Sequence, residues 1–339
     1  MSLKAPRLRP GAQVGIVSPS WGGAGAYPHR LRAGILQLER MGYPARPGKH
    51  ALNQRGFVSD TPANRASDLH DFFADPQVGA IVSAIGGDHS CHLLPHLDFG
   101  LIREHPKILC GFSDVTVLNV ALWAACGLVT FNGPALLTDF AEFPAINDYT
   151  RESWLRVVTS PEPAGRVPPA AQWTEDFQNW GLQVDNPSAR PRALRSSPGW
   201  TWLKGGTAEG VLLGGCIESL DHLRGTRWWP DWEGAIFFFE TSEEKPLPER
   251  VDSILMDYDN MGVLAQIKGM LVGRPMKYTD QEKQDLREVL LERTAAYSFP
   301  IIADMDFGHT SPLMTLPVGV RARIDSARQL FEMIEGAVV

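Results

Sequence analysis

Cysteine is scarce in this chain, with four in 339 residues and none spaced as C-x-x-C, so neither a disulfide-stapled fold nor a zinc knuckle is expected. Cys91, Cys110, Cys126 and Cys216 are scattered, three of them among apolar neighbours, which suggests reduced core thiols and a cytoplasmic location. No stretch offers the roughly 18 uninterrupted apolar residues of a membrane span, and the N-terminal residues carry no apolar leader, so a soluble protein is expected. Basic runs are missing too. With 39 acidic against 32 basic residues and a formal charge of −7, the composition argues against a nucleic-acid partner, which needs clustered Lys and Arg. There is no internal repeat. The Gly-rich segment Trp21-Gly22-Gly23-Ala24-Gly25 is not G-x-G-x-x-G, and no acidic residue closes a following strand where a ribose would be held. No dinucleotide or other cofactor is therefore expected.

What is present is alternation. At 44% hydrophobic content the chain can bury a large core, and its length favours two domains. Gln13-Val14-Gly15-Ile16-Val17 reads as a buried strand, followed by a loop and a helix from about His29 to Met41. A helix from Thr61 to Phe73 precedes the continuous apolar run Val78 to Ile85, of the kind covered on both faces of a parallel sheet. Ile108 to Gly111 and Leu128 to Phe131 continue the series. Strands alternating with helices predict an α/β fold: a Rossmann-like parallel-sheet domain over residues 1–160, then a smaller α/β carboxy-terminal domain over 206–339. Between them, residues 161–205 are rich in Pro, Arg, Gln and Ser without periodicity, and their aromatics (Trp173, Phe177, Trp180, Trp200 and Trp202) favour a functional lid over a tether.

Ser113 stands where the apolar run Ile108-Leu109-Cys110-Gly111 turns abruptly toward a helix. That is the placement of a serine nucleophile, although Val115 replaces the second glycine of G-x-S-x-G; the plainer alternative is a helix cap. Glu240 ends the strand Ala235-Ile236-Phe237-Phe238-Phe239, as an orienting acid or as part of a solvated acidic turn. His309, in Gly308-His309-Thr310, is a general base or a surface loop histidine. His89 and His92 beside Asp88 would share a helix face, yet no further ligand pair accompanies them, so no metal site is expected. Trp200 and Trp202 lie two apart and share one side of an extended chain, an arrangement that can anchor the loop against the core.

Taken in order, Val14-Gly15-Ile16-Val17-Ser18-Pro19-Ser20, Ile85-Gly86-Gly87-Asp88, Gly111-Phe112-Ser113-Asp114, Phe131-Asn132-Gly133-Pro134, Gly214-Gly215-Cys216, Phe239-Glu240-Thr241-Ser242-Glu243 and Phe307-Gly308-His309 resemble the LD-carboxypeptidase family of serine peptidases. Within it the chain looks like the microcin C immunity branch. The resemblance implies a Ser113–His309–Glu240 triad at a domain junction and an oxyanion hole from the backbone N–H groups of Gly87 and Asp114. Asp88, Glu243, Trp200 and Trp202 become candidate substrate contacts. Muropeptide-cleaving members carry Arg before the Gly-Gly pair, where this chain has Ala84-Ile85, and Cys216 stands where many members have Asn. The expected partners are a short peptide or peptidyl-nucleotide substrate and a second copy in a homodimer, with neither nucleic acid nor membrane.

Overall fold

The computed structural model describes residues 2–182 and 190–339. The apolar runs of the amino-terminal half lie side by side in parallel, in the order Ala45–Pro47, Gln13–Val17, Val78–Ser83, Ile108–Gly111, Thr130–Asn132. Strand direction reverses its progression between Gln13–Val17 and Val78–Ser83, the place where a crevice opens at the carboxyl ends of such a sheet. Helices cover both faces, which is why the strands are continuous in apolar residues rather than alternating. Thr61 accepts a bond from Asn64 N–H and Pro62 opens the helix Pro62–Ala74, whose Phe72 and Phe73 are buried. Thr116–Cys126 ends at Gly127 in the left-handed conformation, a normal helix stop.

The second sheet has eight strands. Thr207–Cys216, Ala235–Glu240, Gly269–Gly273 and Ile301–Met305 run parallel, and Thr201–Lys204, Arg321–Asp325, Leu330–Met333 and Gly165–Arg166 extend it by antiparallel pairing. Thr279 and Glu282 form a reciprocal capping box on the helix Asp280–Arg293. The two sheets are not separate in sequence, because Leu316–Val318 returns to pair antiparallel with Thr130–Asn132 at the edge of the first.

The 161–205 stretch carries structure of its own. Gln172–Trp173 pairs with Arg195–Ser196, and the Trp173 ring has the guanidinium groups of Arg195 and Arg274 over it, at 4.3 and 4.6 Å. Thr174 and Ser311 exchange two backbone hydrogen bonds of 2.7 and 2.9 Å, tying this stretch to the loop that carries His309. Residues 183–189 lie outside the described residues.

Candidate active site

Ser113 leaves the Ile108–Gly111 strand with φ 60, a left-handed conformation costly for a residue with a Cβ. The next turn, Ser113–Val115, is a 3₁₀ segment leading into Thr116–Cys126. Glycine at position 86 is required by contact: a Cβ there would lie 2.8 Å from Ser113 Cβ and 3.2 Å from Asp114 N. The Gly86-Gly87 turn therefore faces the Ser113-Asp114 turn directly. Asp114 holds the two together, its buried carboxylate accepting from the backbone N–H groups of His89 and Ser90 at 2.9 and 2.8 Å.

Glu240, at the end of its apolar strand, is 1% exposed. Gly308 makes room for it, since a Cβ at that residue would meet Glu240 Oε2 at 2.6 Å. The glycine lets the loop pass over the carboxylate and set His309 Nδ1 at 2.7 Å from Oε2. His309 Nε2 lies 3.1 Å from Ser113 Oγ, and Phe112 packs edge-on against the imidazole with ring centroids 5.0 Å apart. The same Nε2 also lies 2.9 Å from Glu243 Oε2. Burial opposes a charged imidazole, but the charge and hydrogen bond of Glu240, joined by those of Glu243, outweigh it and hold the histidine well above its usual value of 6.5. The Glu243 carboxyl is correspondingly pulled down to about 2, chiefly by its hydrogen bond to His309.

Ser113, His309 and Glu243 line a cleft of about 350 Å³ between the sheets. Its other lining residues include Trp21, Arg30, Asp139, Phe177, Trp180 and Arg192. Trp180 stands edge-on to Tyr27 and 4.9 Å from the Arg30 guanidinium, and Arg192 pairs with Glu142. Arg30 is buried and donates to Leu137 C=O through Nε and Nη2; burial lowers it to about 10, which still leaves it charged at neutral pH. The cleft thus joins groups for acid–base chemistry with groups suited to a flat or anionic moiety.

Of the residues singled out from the sequence, Ser113, His309, Glu240, Gly87, Asp114 and Glu243 converge here. Asp88 points outward, its side chain 73% exposed and paired with His222 Nε2 of the second lobe at 2.9 Å. Trp200 and Trp202 do not line the cleft. Trp200 donates its indole N–H to Asp306 at 2.8 Å and packs on Phe331, while Trp202 pairs with Ile302 within the second sheet. The aromatic residues that face the cleft from the same stretch are Phe177 and Trp180. A sequence signal for Arg30 existed, since it falls on the buried stripe of Pro28–Arg40 with Leu31, Gly34 and Leu38. Among the described residues no His, Cys, Asp and Glu cluster forms a metal site, and no helix is long and apolar enough to cross a membrane.

Comparison with known proteins adds the family. Residues 14–133 match the LD-carboxypeptidase N-terminal domain and residues 209–324 the LD-carboxypeptidase C-terminal domain. YocD of Bacillus subtilis, which carries a carboxypeptidase name, is 33% identical over 96% of this chain and 96% of its own length. The microcin C7 self-immunity protein MccF of Escherichia coli is 31% identical over 95% of this chain and 93% of its own. The structure of MccF in complex with glutamyl sulfamoyl guanosine superposes with a TM-score of 0.90 at 28% identity, covering 99% of this chain and all of that one. With relatives of this identity spanning nearly its full length, the chain belongs to the LD-carboxypeptidase family of serine peptidases.

Proposed function

We propose that this enzyme cleaves an amide bond at the carboxyl end of a short peptidyl- or aminoacyl-nucleotide, with Ser113 as nucleophile, His309 as general base and Glu240 as the residue that orients the imidazole. The observation that carries the reading is the unbroken line from Glu240 through His309 to Ser113 Oγ in an aromatic, arginine-bearing cleft. Ser113 Oγ attacks the carbonyl carbon while His309 Nε2 takes its proton. The oxyanion forms where the N–H groups of Gly87 and Asp114 are proposed to donate. His309 then passes the proton to the leaving nitrogen, the C–N bond breaks, and water attacks the acyl-enzyme by the same relay.

The nucleotide end is supported by Trp180 and Phe177, flat faces for a base, with Arg30 and Arg192 nearby for an anionic linkage. Glutamyl sulfamoyl guanosine, the compound in complex with a related MccF, joins an aminoacyl group to a nucleoside in this way. The second reading is cleavage of murein tetrapeptides, the activity the family name denotes; the absence of a basic residue at Ala84-Ile85 favours the first. A third, a cleft-type binding protein without turnover, is opposed by the serine–imidazole contact. A cytoplasmic location and a homodimer belong to the same proposal. The test is a hydrolysis screen of aminoacyl-sulfamoyl nucleosides against LD-peptides using wild type and Ser113→Ala. Turnover of neither class by wild type, or turnover retained by Ser113→Ala, overturns it.

A further inference from the structure

The least expected contact in the cleft is the second carboxylate on His309. An imidazole that takes a proton from Ser113 must present a lone pair at Nε2, and a carboxylate oxygen 2.9 Å from that lone pair would set two acceptors against each other. With Nδ1–H donated to Glu240, the contact to Glu243 exists only when Nε2 also carries a proton. Contact with Glu243 and service as a base therefore exclude one another.

The position of Glu243 permits exchange. It sits on a turn whose base is pinned, Ser242 donating both N–H and O–H to half-buried Glu218 at 3.1 and 2.6 Å. The Glu243 side chain itself is 56% exposed and faces the cleft. The charged groups around the pair are Glu240 behind the imidazole, Glu218 near Glu240, and Lys277 near Glu243. Oε2 can lie no farther from Ser113 Oγ than the two contacts to Nε2 end to end. An α-nitrogen lies about 2.5 Å from its own carbonyl carbon, so an amino group on the residue being attacked falls within reach of that oxygen.

Building on the hydrolase reading, we propose that Glu243 is the ammonium-binding residue of the cleft: its carboxylate, resting on His309 Nε2 in the free enzyme, transfers to a free α-ammonium group of the substrate and releases the imidazole to Ser113. The Nε2 proton leaves to water, and the neutral imidazole then accepts the serine proton. The substrate class narrows accordingly to acyl donors with a free α-amino group. An aminoacyl-nucleotide satisfies this; a murein tetrapeptide, whose acyl residue has its α-nitrogen in a peptide bond, does not.

Alanyl- and propionyl-sulfamoyl adenosine differ only in that amino group. Wild type is expected to prefer the alanyl compound in kcat/KM by roughly tenfold or more, in the range of a hydrogen bond to a charged group. In Glu243→Gln the preference should vanish, with the propionyl compound turned over faster than by wild type. Labelling of Ser113 by a fluorophosphonate, followed against pH, gives a readout independent of substrate, and its acid limb should move to lower pH in Glu243→Gln. An unmoved limb, or an equal preference in both proteins, overturns the proposal while leaving Ser113 as nucleophile. No labelling of Ser113 in either protein overturns the hydrolase reading and the proposal with it.

Discussion

Ser113 combines a half-buried side chain with a backbone at φ 60, so replacing it should abolish activity while the choice of replacement sets the stability. A residue with a Cβ in that conformation costs roughly 1–2 kcal/mol. Glycine removes this cost but adds freedom to the unfolded chain, about 0.4–1 kcal/mol relative to alanine. Ser113→Ala and Ser113→Gly both lose the hydroxyl and its bond to His309, so the difference between them isolates the backbone. The two effects partly offset, leaving Ser113→Gly more stable than Ser113→Ala by about 0.5–1 kcal/mol. In a chain of this size that corresponds to a rise in Tm of at most about 2–4 °C. Urea denaturation of the two variants side by side measures the difference, and hydrolysis assays should find both inactive. A glycine variant less stable than the alanine variant would refute the strained turn, and residual turnover in either would remove Ser113 from the chemistry.

Glu240→Gln should lower kcat/KM by on the order of 10⁴, the scale of losing the orienting acid's charge in a serine triad, with circular dichroism unchanged. Because the folded-state value of His309 is raised above 6.5, its contribution to stability is present below that pH and is lost as pH rises through the folded value; Glu240→Gln should flatten this alkaline decline in urea melts carried upward from pH 6.5. Trp180→Ala should weaken base-bearing substrates by roughly 5- to 150-fold and leave base-free analogues nearly unchanged, whereas Trp200→Ala should affect both alike. An equal loss on both for Trp180→Ala would show that it only holds the loop. Asp306→Asn leaves Arg274, 3% exposed, without its counter-charge and should cost about 3–5 kcal/mol by chemical denaturation.

Much of the site was legible along the chain. Continuous apolar runs announced a parallel sheet, because strands covered on both faces have no polar alternation, and their carboxyl ends marked where Ser113 and Glu240 would emerge. The close approaches of Gly86 to Ser113 and of Gly308 to Glu240, which a Cβ would block, came only with the tertiary structure. The return of Leu316–Val318 to the first sheet was not legible, since a three-residue strand containing Pro317 carries no period. Nor could composition choose among the tryptophans: Trp200 faces away from the cleft because its indole N–H pairs with buried Asp306, while Trp180 has Tyr27 and Arg30 of the first lobe beneath it.

The residue types for a serine hydrolase, and their positions at the ends of strands, were thus determined by sequence, because local patterning decides where a strand stops and what its last side chain is. Their relation was not. Glu240 is 69 residues from His309, and Ser113 is 196 residues from it. Only the docking of one sheet against the other brings one carboxylate to Nδ1 and sets Ser113 and Glu243 at the same Nε2, since separations of that kind depend on how two packed surfaces fit and not on any spacing along the chain.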